Sequence, residues 1–345
     1  MRFSAFIFLF LIILNTTAKA DTMPKTDAAY LAADLHCDAA MKIVKGKTLT
    51  DNSSQVTIGK LKKGRVGLQV FACWVPPSYR RQKAIDYTLK MISMTKSQIS
   101  SHSSQLMLVT DKVSWQKCLK EKKTGVLLGI EGGHALGEET GNLKLFYKEG
   151  VRILTLTWNN SNKFATAGFS AGKTKKDLGL TAEGIKLVKL ADSLGVMIDL
   201  SHSSEKTFWD VLKLAKKPPL ASHSCARALN KKFQFRNLSD KQIKALAQAG
   251  GLIGVNFCPA FLGEKRKPVD INSVADQFDY MKKLAGVDCL ALGSDFDGIE
   301  EVPKGLEGPD KIPDLLKVLE KQGFGKDEIS KIALDNFIRY MGWRN

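Results

Sequence analysis

Eight short apolar runs, spaced along the whole chain, constrain its fold more than any other feature. They lie at 31–38, 66–75, 125–133, 151–160, 195–204, 219–226, 250–259 and 289–298, each bounded by Gly, Pro or polar residues. Most are separated by stretches of helical periodicity. In "TAEGIKLVKLADSLG" (181–195), apolar residues fall at 185, 187, 188, 190, 191 and 194 behind a Thr cap. "LSDKQIKALAQAGG" (238–251) opens at Ser239 and stops at paired glycines. Strands alternating with helices imply parallel βαβ units. Eight of them predict an α/β fold, a (β/α)8 TIM-like barrel, with residues 310–343 adding two further helices. An open doubly wound sheet would more usually carry a Gly-rich nucleotide turn behind its first strand. "AGFSAGKT" (167–174) resembles a phosphate loop only in part. Ala167 stands at the first Gly position, no strand leads directly into it and no clear helix follows.

Barrel enzymes keep their chemistry at the C-terminal ends of the strands. The first run, "AADLHCDAA" (32–40), spaces Asp34, His36 and Asp38 two residues apart. On an unbroken strand all three would share one face, where each buried polar group costs several kcal/mol unless something pairs with it. The later strand ends carry Glu131, His202, His223 and Asp295, and three of the chain's five histidines fall at such positions. Imidazole with carboxylate suits Zn²⁺ first, with Mn²⁺, Co²⁺ or Ni²⁺ by exchange. A single catalytic zinc takes about three protein ligands and an open position. His36, Asp38, Glu131, His202 and His223 exceed that number and suit two metals bridged by a carboxylate. Such a centre stabilises hydroxide near neutral pH and polarises a carbonyl. Asp295 in "GSDFDG" is the candidate to pass a proton to a leaving amine, while Asp297 reads as a loop cap. His102 reads as a surface residue. His134, after "EGG", either supports the metal centre or sits in a turn.

The first twenty residues, "MRFSAFIFLFLIILNTTAKA", combine a basic start, an apolar core from Phe3 to Leu14 and the pattern Ala18-Lys19-Ala20. They read as a secretory signal cleaved before Asp21, leaving 21–345 as one catalytic barrel domain, exported to the periplasm or secreted. The apolar run is short for a membrane span of about 20 residues, and "FIRYMGWRN" offers no tail for a glycolipid anchor. No stable membrane anchor is expected. The formal charge of +17 falls to +15 when Arg2 and Lys19 leave with the signal. The basic residues are scattered, without interleaved aromatics or a nucleic-acid motif, so no nucleic-acid partner is expected; weak attraction to an anionic envelope remains open. Six cysteines lie far apart with no CxxC pair. Oxidation after export and buried free thiols are both open.

An ordered set of motifs runs through nearly all of the mature chain: "DLHCD", "GIEGGHALG", "RILTLTWNNSN", "IDLSHSSEKTFWDVL", "PLASHSCARAL", "RNLSDKQIKALAQAGGLIGVNF", "ALGSDFDGI" and "VPKGLEG". This set resembles the membrane dipeptidase (renal dipeptidase) family, peptidase family M19, of the amidohydrolase-type barrels. The resemblance implies a zinc-dependent dipeptidase that accepts an L residue first and an L or D residue second. Some members also open dehydropeptides and certain β-lactams. It implies two zinc ions: one on His36 and Asp38, the other on His202 and His223, with Glu131 bridging. Asp295 matches the acid/base position, and Arg236 matches an arginine that grips the substrate carboxylate. Members often form homodimers. Where mammalian members carry a histidine that contacts the reacting carbonyl oxygen, this chain has Trp158, which donates one hydrogen bond but takes no charge. Oxyanion stabilisation would then rest on the metals and on Asn159 or Asn162. Two other readings stand beside this one: a different hydrolase of the superfamily (amidase, lactonase or phosphotriesterase), and a secreted binding protein with structural metals. A strand-end lysine suited to carbamylation would favour the first, but Glu131 stands in that place.

Overall fold

The computed structural model describes residues 30–263 and 268–344; the secretory signal expected at 1–20 lies outside them. Nine strands run in chain order: β1 (Ala32–Cys37), β2 (Val66–Trp74), β3 (Leu106–Leu108), β4 (Thr124–Glu131), β5 (Val151–Thr155), β6 (Met197–Asp199), β7 (Leu220–Ser224), β8 (Leu252–Val255) and β9 (Leu290–Leu292). All pairings between them are parallel. β1 pairs with β2 and β9, and β2 pairs with β4, which closes an eight-stranded barrel. The ninth strand, β3, lies outside the ring. It pairs with Thr124–Val126 of β4, and β5 takes over the neighbouring stretch from Leu128 to Glu131. Only three residues long, β3 is too short to register as an apolar run. The expected helices are present as Ala182–Leu194 and Asp240–Gln248, with the Thr181 and Ser239 hydroxyls accepting from Gly184 N and Gln242 N. "AGFSAGKT" is itself helical over Gly168–Thr174, so it forms no phosphate-cradling loop. No helix of the described residues is long and apolar enough to cross a membrane.

Each barrel strand contributes an apolar side chain to one buried cluster: Ala33, Leu68, Leu127, Ile153, Met197, Leu220, Leu252 and Ala291. Leu334, Phe337, Ile338 and Trp343, from the C-terminal helical run, join the same cluster. A second cluster packs Leu128, Leu154, Ile198, Ile253 and Leu292 against helix residues such as Met91, Leu187, Ile243 and Phe278. The apolar payload therefore fills the barrel and clamps its helices on, leaving the C-terminal rim for polar groups.

Strict alternation fails where the chemistry begins. Between the pairs Asp34↔Gln69 and Cys37↔Phe71, β1 advances three residues while β2 advances two. The extra residue is a β-bulge, which re-aims the side chains beyond it. Asp34 therefore does not share the surroundings of His36 and Asp38, contrary to the reading from spacing alone. Its carboxylate accepts from Ser294 N (2.8 Å), Ser294 Oγ (2.5 Å) and Gln69 Nε2 (2.9 Å), fastening β1 to its neighbours. A matching irregularity lies on β7 between Ala221 and Ser224, where Ser222 and His223 sit. The expected strands also ran too far. β6 stops at Asp199 and β9 at Leu292, so His202 and Asp295 stand on the loops beyond. Both have left-handed backbone, φ 65° and 67°, which is uncommon for non-glycine residues. Gly168 N donates to His202 O, and Asp295 N donates to His36 O, holding the two turns.

Replacing Asp34 with Ala would strand buried donors on Gln69 and Ser294. The expected loss is about 3 kcal/mol, read from urea unfolding of metal-free protein with an unchanged m value. Unaltered stability would refute the fastening role.

Candidate metal centre

Six side chains from five strand ends meet at the barrel rim. His36 comes from β1, Asp38 from the turn into the helix Ala39–Val44, Glu131 from the end of β4 and His223 from β7, while His202 and Asp295 follow β6 and β9. His36, Asp38, Glu131 and His223 are buried, and His202 and Asp295 are partly so. His202 Nε2 lies 3.1 Å and His223 Nε2 3.4 Å from Glu131 Oε1. His36 Nε2 lies 3.8 Å from Glu131 Oε2, 3.4 Å from Asp38 and 3.9 Å from Asp295. The two oxygens of one carboxylate thus face two different groups of ligands.

The far nitrogens of two rings are already committed. His202 Nδ1 is 3.0 Å from Asn159 Oδ1, and His223 Nδ1 is 2.7 Å from Ser222 Oγ. With a proton on each Nδ1, both Nε2 atoms present lone pairs, yet they lie only 3.0 Å apart beside a carboxylate oxygen. His36 Nε2 is buried with no hydrogen-bond partner among the described residues. Two lone pairs crowded together in this way, next to a buried nitrogen without a hydrogen bond, suit a shared cation. The charge balance agrees. Burial first, then Asp38 and Asp295, push the Glu131 carboxyl well above its ordinary range. Burial alone would lower His36, but Glu131, Asp38 and Asp295 outweigh it and hold the ring up at about 10. Burial, with the charges of Arg236 and His36, pushes His202 and His223 well down.

Two groups of donors therefore fit divalent ions: Glu131, His202 and His223 on one side, and His36 and Asp38 on the other, with Asp295 within reach of the second. Asp199 also lies near His36 and His223. Its oxygens, however, already accept from Thr155 Oγ1, Ser222 Oγ, Ser201 N and Ser222 N, so it acts on the rings from behind.

A cavity of about 490 Å³ opens over this group and is walled by Trp74, Trp158, Asn159 and Phe261. Trp158 packs edge-on against Trp74, with ring centres 5.1 Å apart. Arg236 borders the group: one guanidinium nitrogen donates to Ser224 Oγ (3.3 Å), while Nε and Nη2 are buried without partners among the described residues. Asn162 is not available as an oxyanion donor, because its Nδ2 donates to Leu156 O and its Oδ1 accepts from Phe164 N and Ala165 N. Of the outlying candidates, Asp297 accepts from Gln55 N and Val56 N, tying two loops together. His134 Nε2 meets the Val75 carbonyl at 2.8 Å, beyond the end of β2. His102 closes the helix Arg81–Ser101 and is half-buried. All six cysteines are free thiols. Sequence spacing passed over Ser222, Asp199 and Trp74. The first two form part of "DLSH" and "SHS", and Trp74 pairs directly with Glu131 in the sheet.

Restoring a divalent ion to chelator-stripped protein should raise the melting temperature. A ligand at a hundredfold its Kd adds about 2.7 kcal/mol. An unchanged transition across a zinc titration would contradict a cation site here.

Comparison with known proteins accords with this geometry. The sequence profile of the membrane dipeptidase family (peptidase family M19) matches residues 26–343. An uncharacterized dipeptidase of Schizosaccharomyces pombe is 34% identical over 302 residues, covering 83% of this chain and 71% of the relative. An uncharacterized Klebsiella pneumoniae protein in the pqqA 5′ region is also 34% identical, over 74% of this chain and 96% of its own length. The crystal structure of dipeptidase AC, a metallopeptidase of family M19, superposes with a TM-score of 0.84 at 25% identity, covering 91% of this chain and 98% of that one. A Rhodobacter sphaeroides metallopeptidase, liganded with a phosphinate mimic of L-Ala-D-Ala, gives 0.84 at 23% identity over 92% and 100%. The chain belongs to the membrane dipeptidase family, peptidase family M19, and is a hydrolase of peptide bonds.

Proposed function

We propose that this dipeptidase is a two-zinc enzyme that cleaves dipeptides with an L residue first and an L or D residue second. His36 and Asp38 would hold one ion and His202 and His223 the other, with Glu131 serving both. The observation that carries this reading is the split of the Glu131 carboxylate, with Oε1 toward His202 and His223 and Oε2 toward His36. Such ions, when bound, would supply an acidified water and Lewis-acid polarisation of a carbonyl.

The remaining work belongs to the chain's own groups. Burial, reinforced by Asp38, pushes the Asp295 carboxyl up to about 6, so it can hold a proton near neutral pH and deliver it to the leaving amine. Asn256 Nδ2 donates to Asp295 Oδ2 at 3.0 Å and fixes the other oxygen toward His36. The two unpartnered nitrogens of Arg236 suit the C-terminal carboxylate of a dipeptide, which a guanidinium grips in bidentate fashion. Trp74 and Trp158 wall the cavity and limit the size of the substrate side chains. Asn159 is committed through its oxygen to His202, so any contact it makes with substrate uses its amide nitrogen. The phosphinate dipeptide mimic held by the Rhodobacter sphaeroides protein supports a substrate of this size. Export to the periplasm or medium, and action as a homodimer, belong to the same proposal.

Asp295→Asn should cut kcat for L-Ala-D-Ala by about 10²–10⁴ while zinc content, measured by mass spectrometry, stays unchanged. Retained kcat would refute the proton-delivery role. Arg236→Met should raise KM for dipeptides by about 10- to 100-fold, the loss of a charged hydrogen bond, and leave dipeptide amides nearly unaffected. Equal losses on both substrates would contradict carboxylate binding. Zinc-loaded enzyme that turns over lactones or simple amides but no dipeptide would overturn the whole reading.

A further inference from the structure

One hydroxyl touches a histidine from each proposed ion position. Ser222 Oγ lies 2.7 Å from His223 Nδ1 and 3.4 Å from His36 Nδ1. These two rings stack with centres 3.7 Å apart and planes 29° apart. The hydroxyl proton is already placed, because Ser222 Oγ donates to Asp199 Oδ2 at 2.6 Å. Its lone pairs can then only accept, so each ring in its neutral form carries its proton on Nδ1, which leaves Nε2 as the nitrogen that faces the rim. Asp199 is itself immobilised: Thr155 Oγ1 donates to it at 2.6 Å, Ser201 N at 2.9 Å and Ser222 N at 2.8 Å. Asp199, Ser222 and Thr155 are all buried. His202 has separate support in Asn159.

We propose that Asp199 and Ser222 form a single positioning unit shared by both ion positions, so that losing the Ser222 hydroxyl weakens both ions together. The inference rests on the two-zinc reading above and extends it to how the ligands are held. Groups that orient a ligating histidine typically contribute 10- to 100-fold in metal affinity. Here one group orients a ligand of each ion, whereas Asn159 orients a ligand of one.

The test compares wild-type, Ser222→Ala and Asn159→Ala proteins, stripped of metal and titrated with zinc against a chromophoric chelator. Wild type should take up two equivalents. Ser222→Ala should lose about 10- to 100-fold in affinity for both equivalents, and Asn159→Ala chiefly for one. Thermal unfolding of the stripped proteins separates this effect from a general loss of folding. If Ser222→Ala does not fold, Thr155→Val, which removes one donor to Asp199 at nearly constant volume, should still weaken both equivalents, by a smaller factor. A folded Ser222→Ala protein that keeps both affinities, or loses only one, overturns the shared unit while leaving the two-zinc reading in place. Wild type that binds fewer than two equivalents overturns both.

Discussion

The interaction on which the rest of the structure depends is the enclosure of three carboxylates and three imidazoles in one barrel rim. Without a compensating cation, lone pairs face each other at 3.0 Å between His202 and His223, and His36 Nε2 has no hydrogen-bond partner among the described residues. Such a cluster is costly in a low-dielectric setting, and it persists because the scaffold around it has little freedom to relax. β1 and β7 carry bulges at the ligand positions, and left-handed residues end the turns after β6 and β9. Asp34 and Asp199, each buried and saturated with donors, anchor the strands beneath. Rigidity of this kind keeps a ligand set assembled before an ion arrives.

Much of this was legible in the sequence. The eight barrel strands announced themselves because parallel strands covered on both faces read as apolar runs, and polar residues at the ends of those runs pointed to the side chains that meet at the rim. What stayed hidden has physical causes. β3 is three residues long and covers only part of one edge of β4, leaving almost no compositional trace. The grouping of Asp34 with His36 and Asp38 failed because a period of two holds only on an unbroken strand, and a bulge has no signature in the residue types here. Ser222 and Asp199 were passed over because serine and aspartate near a strand end usually cap turns; only the three-dimensional path brings them under His36 and His223. The Asn162 side chain, an oxyanion candidate by its place in the sequence, is consumed in bracing its own loop.

The aromatic wall stands where the motif resemblance implies a histidine in mammalian members. A tryptophan at position 158 offers a neutral ring packed on Trp74, where an imidazole would offer a chargeable donor. Under the proposed mechanism, stabilisation of the developing oxyanion then shifts toward the ions. The proposed catalytic power depends more heavily on how firmly the ligands are held. The double tie from Ser222 and the separate tie from Asn159 fit that demand.

The most direct test of the central claim is a crystal structure of the zinc-loaded protein with anomalous data collected on both sides of the zinc absorption edge. Two anomalous peaks are expected, one beside His36 and Asp38 and one beside His202 and His223, with Glu131 between them. A single peak, or peaks away from Glu131, would contradict the two-ion centre.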